Sequence, residues 1–183
     1  MQITDRNPQG LLPQWSAKLE TRGGLKLNVR SAAQDDEPEL IRMLGKASPE
    51  DLRFRFLSTV GQVGHSLAQP LVDVDHERTE NLLAFDDEDG SLVATAMIAA
   101  DDQLEDAEVA VFVRPDMKGR GAGWSMLALS CDYARQRGFQ RLHSVELGEN
   151  RRAIALEKEM GFIASPCPGD ATLTILSKNL TAG

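Results

Sequence analysis

Cysteine is scarce in this chain: Cys131 and Cys167 are the two among 183 residues, with no CxxC spacing and no histidine beside either. A disulfide framework and a thiolate metal centre are thereby excluded. His65, His76 and His143 are scattered without ligand spacing and read as surface or structural residues, so no metal is expected. Long apolar runs are missing too. None approaches the roughly 18 residues of a membrane helix, and residues 1–25 lack a basic start followed by an apolar stretch, so the expectation is a cytoplasmic protein with no membrane partner. Clustered basic charge is also absent. A net charge of −8 argues against nucleic acid as a partner, because backbone phosphates are bound by grouped Lys and Arg that release counterions.

What the chain does have is enough apolar material, 42% of residues, for one sizeable core and too little length for two ordinary domains. Its acidity is uneven. Residues 72–108 hold 13 Asp and Glu against the single basic Arg78, a local balance of −12 that leaves +4 for the rest. Such a stretch is either a solvated face or a surface that steers a cationic acceptor inward.

Residues 1–24 carry Pro8, Gly10, Pro13, Gly23 and Gly24 among polar residues without a sustained period, and read as an N-terminal tail or linker before a folded domain over 25–183. Leu25, Leu27 and Val29 then alternate with polar residues as a first strand does. Helical spacing follows over 37–44. Ser48-Pro49-Glu50-Asp51 is a helix start, with a capping Ser, a Pro at the first helical position and an acid three residues on. A short helix is expected at 65–74. Two apolar runs, 81–85 and 91–99, flank an acidic turn ending in Gly90 and form a hairpin. The strand 107–113 leads to a helix over 121–137 that stops at Gly138, then a strand over 141–147, a helix from Asn150 to Met160, and a last strand at 171–176. This order predicts a mixed α/β sheet with helices on both faces.

The most informative segment is Val109-Ala-Val-Phe-Val-Arg-Pro-Asp-Met-Lys-Gly-Arg-Gly-Ala-Gly123. A buried strand runs through three glycines into a helix whose first turn leaves about four N–H groups unpaired and adds roughly half a positive charge. Backbone alone can hold a pyrophosphate there. Gly119, Gly121 and Gly123 allow close approach, and Arg114, Lys118 and Arg120 against Asp116 make the stretch locally positive. A plain tight turn uses the same residues, and a dinucleotide fold would use such a loop, but here it follows a hairpin and not an early βαβ unit.

Lys118-Gly-Arg-Gly-Ala-Gly123 resembles the acetyl-CoA motif of the GNAT superfamily, a Gln or Arg followed by x-x-Gly-x-Gly or Ala. Asn150-x-x-Ala153-x-x-Leu156 with Met160-Gly161-Phe162 is similar to the next cofactor-contacting helix of that family. The sequence departs from it twice. Lys118 stands where Gln or Arg is usual, and Glu157 stands where many members have a tyrosine as general acid. A narrower resemblance is to the acetyltransferase domain of bacterial Pat-type protein lysine acetyltransferases, carried by Ser48-Pro-Glu-Asp-Leu-Arg-Phe-Arg-Phe56, Val72-Asp-Val-Asp75 and Ala107-Glu-Val-Ala-Val-Phe-Val113.

The resemblance implies a mostly antiparallel central sheet with a splayed strand pair at the cofactor site, and acetyl-CoA as co-substrate. Ala122, Asn150 and Ala153 would join the loop in binding it, and the backbone of Val111, Phe112 and Val113 would pair with the pantetheine arm. It implies a primary amine as acceptor, a protein lysine or a small molecule, with a homodimer left open. It also gives Glu108 the role of general base. Read from the residues alone, Glu108 is also a strand-entry charge facing solvent or paired with an arginine; Glu146 and Glu149, flanking the exit of the next strand, are weaker candidates. Trp124 and Tyr133 fall in the apolar helical register and read as core. A non-catalytic acyl-CoA-binding sensor is the alternative of a different class, since the tyrosine's role has no obvious holder.

Overall fold

The computed structural model describes residues 15–181, so residues 1–14 of the expected tail lie outside the described residues. Eight strands form one open sheet: β1 (Ser16–Glu20), β2 (Lys26–Ser31), β3 (Thr79–Asp86), β4 (Leu92–Ala100), β5 (Asp106–Val113), β6 (Arg141–Leu147), β7 (Ile163–Cys167) and β8 (Asp170–Asn179). Their order is β1-β2-β3-β4-β5-β6-β8-β7. Every pairing is antiparallel except β5 with β6. Five α-helices are described: α1 (Glu37–Leu44), α2 (Pro49–Phe56), α3 (His65–Val72), α4 (Ala122–Arg137) and α5 (Arg151–Glu159).

Local chemistry explains the boundaries. Ser48 Oγ accepts from the Asp51 backbone N–H at 3.1 Å and the Asp51 carboxylate accepts from Ser48 N at 3.2 Å, the reciprocal cap expected for α2. The α4 helix ends where Gly138 takes φ 85°, and the Asn150 side chain accepts from Ala153 N to start α5.

Two cores follow from the period-2 alternation of the strands. One lies under α4 and α5 and includes Val29, Ala107, Val109, Met126, Leu127 and Leu142. The other lies under α1, α2 and α3 and includes Leu40, Leu52, Leu71, Leu83 and Phe112. Helices thus cover both faces, as expected. The acidic residues of 72–108 do not share one surface. Those at 86–89 fill the β3–β4 turn, while those near 73–77 and 101–106 gather at the opposite end of the sheet.

The N-terminal region departs from the expected tail. Ser16–Glu20 is a strand paired along its whole length with β2, Trp15 meets the Tyr133 ring edge-on at 6.1 Å, and Thr21 is buried with its hydroxyl donating to Arg120 O at 2.7 Å. β7 was also not anticipated. Removing the segment through Gly24 bares the β2 edge and the partly buried Trp15 and Leu19 contacts, a loss of about 2–4 kcal/mol at the burial value of a large apolar side chain. The melting temperature should fall by about 5–15 °C in a scanning calorimeter. An unchanged transition would show that β1 adds nothing to the fold.

Candidate active site

The β5–β6 ladder holds three residue pairs, Asp106 with Arg141, Ala107 with Leu142 and Glu108 with His143. Beyond Glu108 the two strands part, although β5 continues to Val113 and β6 to Leu147. The gap opens into a cleft of about 340 Å³ between β5, β6, α2, α4 and α5. Apolar Val109, Val111, Phe112 and Val113 line one wall, and Ser144, Glu146, Asn150, Ala153, Leu156 and Glu157 line the other.

The glycine loop closes one end of this cleft. Lys118, Gly119, Gly121, Ala122 and Gly123 all line it, so ten of the twelve residues expected at the site are brought together there. Arg120 and Glu108 do not line it. The Arg120 backbone oxygen is instead held by Thr21, and its guanidinium lies 3.5 Å from the Met117 sulfur. Gly119 and Gly121 have φ of 81° and 85°, conformations that glycine alone adopts without strain. A Cβ on Gly121 would point away from the cleft, to 3.3 Å from Arg22 N and Thr21 Cβ. Gly23 packs in return against the loop, where a Cβ would lie 2.6 Å from Arg120 O. The turn at 21–23 therefore buttresses the loop, a contact between segments about a hundred residues apart that spacing within the motif cannot reveal.

Several expected charges are already committed. Buried Arg114 donates to Asp116, 2.7 Å away, and to Leu92 O at 2.9 Å, so it braces the loop. Lys118 is ion-paired with Asp51 of α2. Arg152, exposed on the first turn of α5, and Arg55 of α2 both line the cleft and are cationic residues absent from the expected site. The sequence signal for Arg152 was a basic residue two positions after the helix cap. Trp124 also departs from expectation: it lines the cleft, with the Arg22 guanidinium 3.9 Å from its ring centroid, whereas Tyr133 is buried core as expected.

Three carboxylates surround the split in the sheet. Glu108 stands at its vertex, its side chain half exposed, with His143 Nε2 3.8 Å from Oε2. By strand alternation Glu108 shares the face of Phe112, the side of α1 to α3. Ser144 and Glu146 share the face of Leu142, the side of α4 and α5. There Ser144 donates its hydroxyl to Glu157 and Asn150 Nδ2 donates to Glu146 at 2.7 Å. Burial, reinforced by the neighbouring Glu157, pushes the Glu146 carboxyl up to about 8, and burial pushes Glu157 upward as well. Arg55 of α2, beside Glu108 and Glu146, is drawn down to about 10 by burial and stays protonated at neutral pH. Glu149 is ion-paired with Arg53 at the surface. Among the described residues no group of three or more His, Cys, Asp or Glu is arranged to hold a metal, and no helix is long and apolar enough to cross a membrane.

A parallel strand pair thus opens beside a glycine loop that leads into a helix. Residues 51–162 match the acetyltransferase (GNAT) family, and the chain belongs to that family. It is an acetyl-CoA-dependent N-acetyltransferase with an open, mostly antiparallel sheet. The chain is 28% identical to acetyltransferase PA5475 of Pseudomonas aeruginosa over 163 residues, covering 88% of this chain and 87% of that protein. It is 35% identical to the mycothiol acetyltransferase of Beutenbergia cavernae over 145 residues, covering 79% of this chain and 42% of that longer protein. The crystal structure of the GNAT domain of S. lividans PAT superposes with a TM-score of 0.82 at 21% identity, covering 96% and 99% of the two chains. The Pat-type resemblance therefore extends to the fold.

Proposed function

We propose that the cleft binds acetyl-CoA and passes its acetyl group to a primary amine, with a protein lysine as acceptor and Glu108 as general base. The observation that carries this reading is the ladder break immediately after Glu108, which exposes the β5 edge to a ligand beside a carboxylate. The pyrophosphate rests on the N–H groups of 119–123 and the α4 N-terminus, with Arg152 nearby. The freed backbone of Val111 to Val113 pairs with the pantetheine arm as a neighbouring strand would, and Asn150 and Ala153 contact it from α5. That arrangement leaves the thioester at the vertex of the split.

A lysine amine of pKa near 10.4 must lose its proton before attack, at a cost of about 4–5 kcal/mol at pH 7. Glu108, on the face opposite α4 and α5, accepts that proton directly or through one water. The amine then approaches from the side of α1 to α3 while the cofactor enters from the other.

The test is CoA release, with mass spectrometry of the product, against lysine-bearing proteins, polyamines and amino-sugar antibiotics. Acetyl-lysine on a protein is the expected product. Turnover confined to the small amines would move the acceptor to that class, and no release from any amine despite tight acetyl-CoA binding would overturn the reading.

A further inference from the structure

The titratable residues lining the cleft are Asp51, Arg55, Lys118, Glu146, Arg152 and Glu157. Asp51 and Lys118 are occupied with each other at the loop end. Arg55 and Arg152 are guanidines, which do not release a proton in proteins. Glu146 and Glu157 remain. They come from β6 and α5, line the same wall and are close enough to act on each other electrostatically. Each is held by a neutral donor, Asn150 for Glu146 and Ser144 for Glu157. Two neighbouring carboxyls withdrawn from water resist ionising together, so the pair holds one proton between them at neutral pH and gives it up only at a cost.

We propose that Glu146 and Glu157 act as one proton-carrying pair that delivers its proton to the sulfur of the departing CoA. The pair belongs to the face of α4 and α5, opposite Glu108, with the split in the sheet between them. The amine nitrogen attacks the thioester carbon, forming N–C and breaking C–S. The first, ammonium proton has by then passed through Glu108 to water; the second leaves the attacking nitrogen for the freed Glu108 carboxylate, and one leaves the pair for the sulfur, so CoA departs as a thiol. Afterwards the pair is one proton poorer and Glu108 one richer, and exchange with water restores both. A thiolate released into an apolar cleft would lack solvation, so the proton is most useful where the wall is driest.

The charged and titratable groups around the pair are Arg55 from α2 and Cys131 from α4, with Lys178 of β8 acting on Cys131. Arg55 favours the ionised pair and Cys131 is a neutral thiol whose proton burial holds more tightly. The sign then follows. Proton affinity raised by burial keeps the donor loaded below about pH 8, and it empties as pH rises past that value.

This inference rests on acetyl transfer taking place in the cleft, and two measurements separate it from the Glu108 assignment. In the wild-type chain, infrared spectroscopy should show a protonated carboxyl band that survives at pH 7 and vanishes on titration through about pH 8. A spectrum with every carboxyl ionised by pH 6 would overturn the proposal, whatever Glu108 does. In kinetics at saturating substrates, Glu157→Gln and Glu146→Gln should each lower kcat by roughly 10²-fold at pH 7 and abolish its alkaline fall, with acetyl-CoA affinity retained. Variants that keep the alkaline fall at reduced kcat would assign the pair a structural role and defeat the proposal. A fast Glu108→Gln enzyme leaves the infrared result untouched and removes only the base.

Discussion

Replacing Gly121 with Asp should lower acetyl-CoA affinity by about 10²-fold. The first cause is conformational. Gly121 holds φ 85° immediately before α4, and an L-residue with a Cβ costs about 1–2 kcal/mol in that region. The second is steric, because the new Cβ meets the turn at 21–23 at 3.3 Å, closer than most such contacts allow. The loop must shift, and with it the N–H groups that would face the pyrophosphate. The carboxylate also adds a negative charge beside the α4 N-terminus, which weakens the positive potential there even with the side chain turned away from the cleft. Calorimetry on a short series separates the three. Gly121→Ala carries the backbone and steric costs without charge and should lose about tenfold, each tenfold being about 1.4 kcal/mol. Gly123→Ala is the contrast: its Cβ would meet Val113 Cγ2 at 3.6 Å and Leu156 Cδ1 at 3.8 Å, ordinary contacts, and affinity should change little. Unchanged binding by Gly121→Asp would take the loop out of the cofactor site.

That series also marks where the sequence could be read and where it could not. The glycines and the helix start beyond them were legible because φ preference and capping are local properties. The direction in which a Gly121 side chain would point was not, because Thr21 to Gly23 are brought there by the pairing of β1 with β2. β1 and β7 escaped notice for a related reason. Both are five-residue edge strands, one polar and the other containing Pro166, which an edge tolerates, and each owes its order to a partner strand. The central strands were legible since β3 and β4 are buried on both faces and read as continuous apolar runs. Their composition says nothing of the ladder break after Glu108, which depends on how far β6 follows β5. Glu146 and Glu157 were visible as acidic residues, yet burial of a carboxyl beside another is a tertiary fact. Trp124 was misplaced because its helical register is that of the core, while the first turn of α4 projects into the cleft.

Glu108 poses the sharper test, because it stands at the vertex of the split strands yet outside the cleft lining, half exposed. Glu108→Gln keeps size and hydrogen-bonding capacity and removes proton acceptance. Acetyl-CoA affinity should hold, and kcat/KM for a good amine acceptor should fall by roughly 10²- to 10⁴-fold at pH 7. The deficit should shrink as pH rises. Each unit toward the amine's own pKa near 10.4 supplies about tenfold more neutral nucleophile, which the variant can use without a base. Between pH 7 and 9 the gap to wild type should therefore narrow steadily. Two neighbours sharpen the interpretation. His143 Nε2 lies 3.8 Å from the Glu108 carboxylate, and the buried Arg55 guanidinium lies beside the same group. His143→Ala should thus cost far less than Glu108→Gln if the carboxylate itself takes the proton. A variant whose KM for the acceptor rises while kcat is kept would place Glu108 in recognition of the acceptor's cation, together with the acidic end of the sheet around residues 101–106. A Glu108→Gln enzyme that matches wild type from pH 6 to 9 would rule out the base, and the amine would then reach the thioester already neutral.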